Sequence, residues 1–166
     1  MANVTFKDNP VTLLGTEVKV DEDAPNFTVL SNDLQEKTLK DYQGKIKLIS
    51  VVPSLDTGVC AEQTKRFNEE ADKLENVHVL TISMDLPFAQ TRWCSAEGVK
   101  NIDILSDHRD ADFGEKYGVL IKELRLLARS IFVIDSNDKI TYTEYVSEVT
   151  NHPDYEAALE AAKKAE

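Results

Sequence analysis

The residues best able to do chemistry in this 166-residue chain are its two cysteines, Cys60 and Cys94. A thiol reacts as a nucleophile through its thiolate, so its surroundings decide what it can do. Cys60 closes the stretch VVPSLDTGVC, where an apolar run stops at Pro53 and passes through turn residues into the first turn of an expected helix. If Thr57 caps that helix, its hydroxyl accepts from the backbone N–H of Val59 or Cys60. A cysteine there meets unpaired N–H groups and the positive helix end, both of which stabilise an anion. Asp56 acts in the opposite sense unless it points to solvent. Cys60 also shares a helical face with Phe67, Ala71 and Leu74, at successive spacings of 7, 4 and 3 positions. On spacing alone, a reactive thiol and an inert core hydrophobe both remain open.

Other chemistries fit the pattern less well. The cysteines lie 34 positions apart, which is neither a CxxC redox pair nor a zinc spacing, and His78, His108 and His152 are scattered. No metal or other cofactor is expected. The carboxylates of SDHRDADFGE gather near His108, but a charge cluster of this kind reads as a solvated loop and helix start, and no role is assigned to it.

The elements that position Cys60 alternate in type. Residues 46–52 (IKLISVV) form a nearly continuous apolar run, as expected of a strand covered on both faces. A helix over 58–75 follows, then a strand over 77–83 and a helix over 86–97, with Asp85 as its cap and Pro87 in its first turn. This order implies parallel strands with right-handed crossovers, whose carboxyl ends are where ligands bind. Strands over 130–134 and 140–146 make a hairpin through DSNDK, and a helix runs from Asp154 to about Lys164. At the start of the chain, NVTF and VTLL flank the turn-like KDNP as an N-terminal hairpin. The expected architecture is a single α/β domain over 1–166 of three layers, with a mixed central sheet.

Bulk composition narrows the partners. With 30 acidic against 19 basic side chains, a net charge of −11 repels nucleic acid and anionic lipid. No apolar run approaches the roughly 18 residues of a membrane span, and no secretory signal is visible, so a cytoplasmic protein is expected.

Pro53, Thr57 and Cys60 match a P-x3-T-x2-C signature, and the longer runs SVVPSLDTGVC, MDLPFAQTRWC and LLARSIFVID stand in order along the chain. Together with the N-terminal hairpin and the C-terminal PDYEAAL, they resemble the bacterial thiol peroxidases, peroxiredoxins of the atypical two-cysteine type. The resemblance implies a thioredoxin-like fold, a homodimer, reduction of hydrogen peroxide and organic hydroperoxides, and thioredoxin as the electron source. By position, Cys60 resembles the peroxidatic cysteine, Cys94 the resolving one, Thr57 and Pro53 pocket residues, and Arg129 the pocket arginine. An intramolecular Cys60–Cys94 disulfide follows from the same resemblance. Ser130 departs from it, standing beside Arg129 where a small apolar residue is expected.

Physical chemistry supports these roles. Arg129 interrupts the apolar runs LLA and IFVI, and a charge in such a place needs a partner, which a thiolate would be. On the second helix Leu86, Ala89, Trp93 and Ala96 form the expected buried stripe, which leaves Cys94 on its flank, roughly 12 Å from the helix start. A disulfide needs Cα atoms within about 7 Å, so helix ends are expected to unwind before the thiols join. Two rival readings are a redox sensor, whose disulfide alters a partner-binding surface, and a thiol–disulfide oxidoreductase, which the missing CxxC weakens.

Overall fold

The computed structural model describes residues 3–165. In chain order its elements are β1 (Val4–Phe6), β2 (Asn9–Val11), β3 (Leu13–Leu14), β4 (Thr28–Leu30), β5 (Glu36–Thr38), β6 (Ile46–Val51), α1 (Gly58–Ala71), β7 (Val77–Ser83), α2 (Pro87–Glu97), β8 (Asp103–Ser106), α3 (Asp112–Lys116), β9 (Leu120–Ile121), β10 (Leu126–Leu127), β11 (Ser130–Ile134), β12 (Ile140–Tyr145) and α4 (Tyr155–Lys164). Seven strands form one sheet in the order β12-β11-β6-β7-β8-β4-β5. The central β6, β7 and β8 are parallel, and the flanking pairs are antiparallel.

Strand β6 is largely apolar because both of its faces are covered. Ile46 and Leu48 pack with Val79, Ile131 and Val133 against Phe67 of α1 and Ala158, Leu159 and Ala162 of α4. Alternate residues point the other way: Ile49 and Val51 join Leu80, Ile82, Leu105 and Phe132 against Phe27, Phe113 and Tyr117. Lys47 and Ser50 are the polar exceptions in the run, and Lys47 is a fully buried lysine whose Nζ lies 2.6 Å from Asp138 Oδ1. Helix α2 lies over the β8 side, where Trp93 packs with Val52, Val99 and Ile104. Helices, mixed sheet, and a layer of α3 with short strands are the expected three layers. Among the described residues, no helix is long and apolar enough to cross a membrane.

Three expectations change in detail. The N-terminal hairpin forms, but its turn is only Lys7–Asp8, with φ of 51° and 67°, a left-handed pair that matches the twist of the flanking strands. Asn9 and Pro10 therefore belong to β2, and Leu13–Leu14 turns away to pair with β9. On α2, Asp85 is not the cap. Leu86 occupies that position with Pro87 beside it inside the helix, and the buried stripe is Pro87, Gln90 and Trp93, while Leu86 and Ala96 are exposed. Gln90 can be buried because its amide donates to the Leu105 carbonyl at 2.9 Å and to Ser83 Oγ at 3.1 Å, a pairing that a hydrophobic periodicity does not detect. Finally, Asp107 of the acidic cluster is buried rather than solvated, and accepts from the backbone N–H of Phe113 and Gly114.

Candidate functional site

The site begins where β6 ends. Val52 still pairs with β7 by donating to the Ile82 carbonyl, and Pro53, which has no N–H, ends the ladder. The chain turns through 54–57 into α1, closed by two bonds to the Ser54 carbonyl, from the Thr57 N–H at 3.3 Å and the Thr57 hydroxyl at 3.1 Å. Thr57 holds the N-cap position with extended backbone (φ −103°, ψ 151°), yet its side chain makes no capping bond. The expectation that it caps Val59 or Cys60 is therefore corrected: the hydroxyl is turned back to donate to the Ser54 carbonyl, and its oxygen accepts from neither N–H. The first N–H groups of α1 have no partner within the helix, and Cys60 sits among them. Asp56 is exposed, as a reactive Cys60 requires.

Cys60 is fully buried, and the charge next to it is Arg129, from the residue preceding β11. Arg129 Nη2 donates to Cys60 Sγ at 3.1 Å, Nη1 to Gln63 Oε1 at 2.8 Å and Nε to the Val149 carbonyl at 2.7 Å. Gln63 in turn donates to Ser50 Oγ at 2.7 Å. Three acceptors, two on α1 and one in the segment after β12, thus fix a buried guanidinium against one sulfur. Such a fork can hold a thiolate and, with the helix N–H groups, an oxygen that gains negative charge. Ser130 is also buried, and its hydroxyl donates to the Ala128 carbonyl at 3.0 Å, so the departure from a small apolar residue leaves no unpaired group beside Arg129.

Above this arrangement lies a cavity of about 400 Å³, lined by Phe6, Lys7, Pro53, Ser54, Thr57, Gly58, Val59, Leu126, Arg129, Val149 and Thr150. The N-terminal hairpin is one of its walls. Glu148 holds the hairpin tip there, accepting from the Thr5 hydroxyl at 2.8 Å and from the backbone N–H of Lys7 and Asp8 at 3.2 Å and 2.8 Å. Its carboxyl is held down to about 2, chiefly by the Thr150 hydroxyl, with the N–H groups of Asp8 and Thr150 and the Thr5 hydroxyl adding to the effect.

Cys94 is a free thiol, as is Cys60. It lies in the last turn of α2, half-buried against the cluster of Val52, Leu55, Cys60 and Trp93. Burial pushes its thiol up from the ordinary value. Its carbonyl accepts from the N–H of Gly98, whose left-handed φ of 69° ends the helix, and from that of Val99. The two cysteines thus occupy one first turn and one last turn, the parts of a helix that open at least cost.

Sequence reasoning missed several parts of this site. Gln63 and Ser50 carried a usable signal, since Gln63 falls one helical turn after Cys60 and Ser50 breaks the apolar run of β6. The hairpin wall and the Val149 carbonyl carried none, because their placement depends on tertiary packing and, for Val149, on a backbone atom.

The chain matches the Redoxin family model over residues 19–159. It is 70% identical over 164 residues to a thiol peroxidase of Oceanobacillus iheyensis, covering 99% of this chain and 100% of that protein. A solved peroxiredoxin-like protein from Aquifex aeolicus superposes with a TM-score of 0.94 at 43% identity, covering 100% of this chain and 98% of the other. A thiol peroxidase from Chromobacterium violaceum, at 21% identity, shares the fold with a TM-score of 0.89 over 98% of this chain and 96% of its own.

Proposed function

The chain belongs to the Redoxin family as a peroxiredoxin-type thiol peroxidase of the bacterial kind, and from that premise we propose how its residues carry out the reaction. Cys60 is the peroxidatic cysteine and Cys94 the resolving one. The observation that carries this reading is the 3.1 Å contact from Arg129 Nη2 to Cys60 Sγ at the start of α1, beneath the cavity.

The Cys60 thiolate attacks the terminal oxygen of a hydroperoxide, ROOH. An S–O bond forms as the O–O bond breaks, Cys60 becomes a sulfenic acid, and RO⁻ leaves to take up a proton as an alcohol, or as water when R is hydrogen. Arg129 and the α1 N–H groups hold charge as it passes from sulfur to the leaving oxygen. The Thr57 hydroxyl spends its hydrogen on the Ser54 carbonyl, so its oxygen is oriented to accept from the O–H of the peroxide. Pro53 excludes water from one side. Cys94 then attacks the Cys60 sulfur, the S–S bond forms, and hydroxide leaves as water. A dithiol reductant of the thioredoxin type restores both thiols.

Hydrogen peroxide and organic hydroperoxides are the proposed substrates, the apolar part of the latter lying against Phe6, Val59, Leu126 and Val149. The family resemblance further supports one domain, a homodimer and a cytoplasmic location. Light scattering of the purified chain tests the homodimer. The test of the cycle is mass spectrometry after one equivalent of peroxide, which is expected to find an intramolecular Cys60–Cys94 bond. A bond between two chains, or an unreacted Cys60, rejects it. Sustained peroxide consumption with thioredoxin and its reductase separates this enzyme from a sensor that oxidises once.

A further inference from the structure

Asp85 stands between the two segments that the proposed cycle must move. One oxygen of its carboxylate, Oδ1, accepts from the Ser54 hydroxyl at 2.8 Å, and the other, Oδ2, accepts from the Leu55 N–H at 2.8 Å and the Ser83 hydroxyl at 2.7 Å. Through Ser54, whose carbonyl takes both the N–H and the hydroxyl of Thr57, the carboxylate is linked to the turn that delivers Cys60. On the other side, Asp85 is two residues before Pro87, where α2 begins, and its own carbonyl accepts from the Ser106 hydroxyl at 2.6 Å. Ser83 Oγ also accepts from Gln90, one turn into α2. Among the described residues, the hydrogen bonds of Asp85 go to Ser54, Leu55, Ser83 and Ser106 and not to Cys60 or Cys94.

We infer that Asp85 is a positioning residue that sets the balance between the closed peroxide pocket and the opened form in which Cys94 reaches Cys60; this rests on the proposed two-cysteine cycle. For Cys60 to leave its pocket, the first turn of α1 must unwind and the 54–57 turn must loosen. The bonds from Ser54 and Leu55 to the Asp85 carboxylate hold that turn in place. They favour the state that reacts with peroxide and oppose the state that forms the disulfide. Hydrogen bonds to a charged group are strong enough that losing one shifts such a balance by roughly ten- to a hundred-fold. The same bonds therefore lengthen the life of the sulfenic acid, and with it the exposure of Cys60 to a second peroxide.

Asp85→Asn keeps the shape but removes the charge and cannot accept on both sides. Rapid-mixing experiments that follow the fluorescence of Trp93, the residue before Cys94, separate the peroxide-dependent oxidation of Cys60 from the peroxide-independent disulfide step. The expected result is opposite movement: oxidation about tenfold slower, disulfide formation about tenfold faster, and less over-oxidised Cys60 at high peroxide. Both rates falling together, or neither moving, overturns the inference, because a merely structural role slows both steps. Ser54→Ala removes one of the three bonds and is expected to move the same two rates in the same directions by less, so it carries the test if Asp85→Asn does not fold. The parent chain is run alongside. If it forms the intramolecular disulfide while the variants shift both rates together, only the role of Asp85 fails. If it forms none, the cycle fails as well.

Discussion

Arg129 and Cys60 are joined by a 3.1 Å hydrogen bond between two buried side chains that lie 69 positions apart in the sequence. The guanidinium is not free to follow the sulfur, because the Val149 carbonyl and Gln63 fix its other two nitrogens. Its position is set before peroxide arrives, which is the condition under which a charge contributes most to a transition state. Replacing Arg129 with lysine keeps the charge but offers no fork to three acceptors. Arg129→Lys is therefore expected to slow oxidation of Cys60 by roughly a hundredfold or more, close to the loss in Arg129→Ala. Single-turnover peroxide consumption measures this. A lysine variant with near-parent rates would show that charge alone suffices.

The resolving step has its own pH dependence. Burial pushes the Cys94 thiol above the ordinary value, so near neutral pH most of it carries its proton. The thiolate fraction then rises about tenfold per pH unit until the raised pKa is reached. Disulfide formation, followed in rapid mixing after a single oxidation of Cys60, is expected to accelerate with that slope and to level off above the ordinary thiol range. An inflection at or below the ordinary value would mean that Cys94 is already solvated before it reacts.

The sequence made the parallel centre of the fold legible because β6 and β7 announce themselves through β-branched runs and α4 through its stripe of Tyr155, Ala158, Leu159 and Ala162. It was less informative where polar groups do the packing. Gln90 is buried by two hydrogen bonds, Asp85 closes a loop instead of capping a helix, and the Thr57 hydroxyl points back along the chain instead of forward. Each is a choice among several possible hydrogen-bond partners, and only the assembled backbone decides it. Cys60 and Arg129 could be nominated separately, by helix position and by an interrupted apolar run. Their contact depends on β11 pairing with β6, a long-range pairing that periodicity within either strand does not specify.

The hairpin wall makes a prediction about substrates. Phe6 lines the cavity at the end of β1, and the Lys7–Asp8 turn that follows it is held to Glu148. A bulky organic hydroperoxide can bury apolar surface on that ring, while hydrogen peroxide cannot. Loss of a buried aromatic contact is worth on the order of 1–3 kcal/mol, so Phe6→Ala is expected to lower kcat/KM for cumene hydroperoxide by roughly tenfold or more while leaving that for hydrogen peroxide nearly unchanged. Equal losses for both substrates would place the effect of Phe6 in the architecture of Cys60 rather than in recognition.

Asp107 offers a test of stability outside the redox centre. Burial pushes its carboxyl up to about 6, although the N–H groups of Gly114 and Phe113 pull it down, and Asp112 and Asp110 add to the rise. In the unfolded chain it returns to about 3.9. Below that value both states are protonated and its contribution to stability is fully present. As pH rises through about 6 the folded state must hold a buried anion, and that contribution is lost. A shift of about two units corresponds to at most about 3 kcal/mol. Asp107→Asn has no proton to exchange, and its amide cannot accept from both Phe113 and Gly114, so it is expected to be less stable at every pH. The informative quantity is the difference in unfolding free energy, parent minus variant, from urea titrations between pH 4 and pH 7. That difference is expected to shrink as pH rises, and a constant difference would mean that the Asp107 carboxyl titrates alike in the folded and unfolded chain.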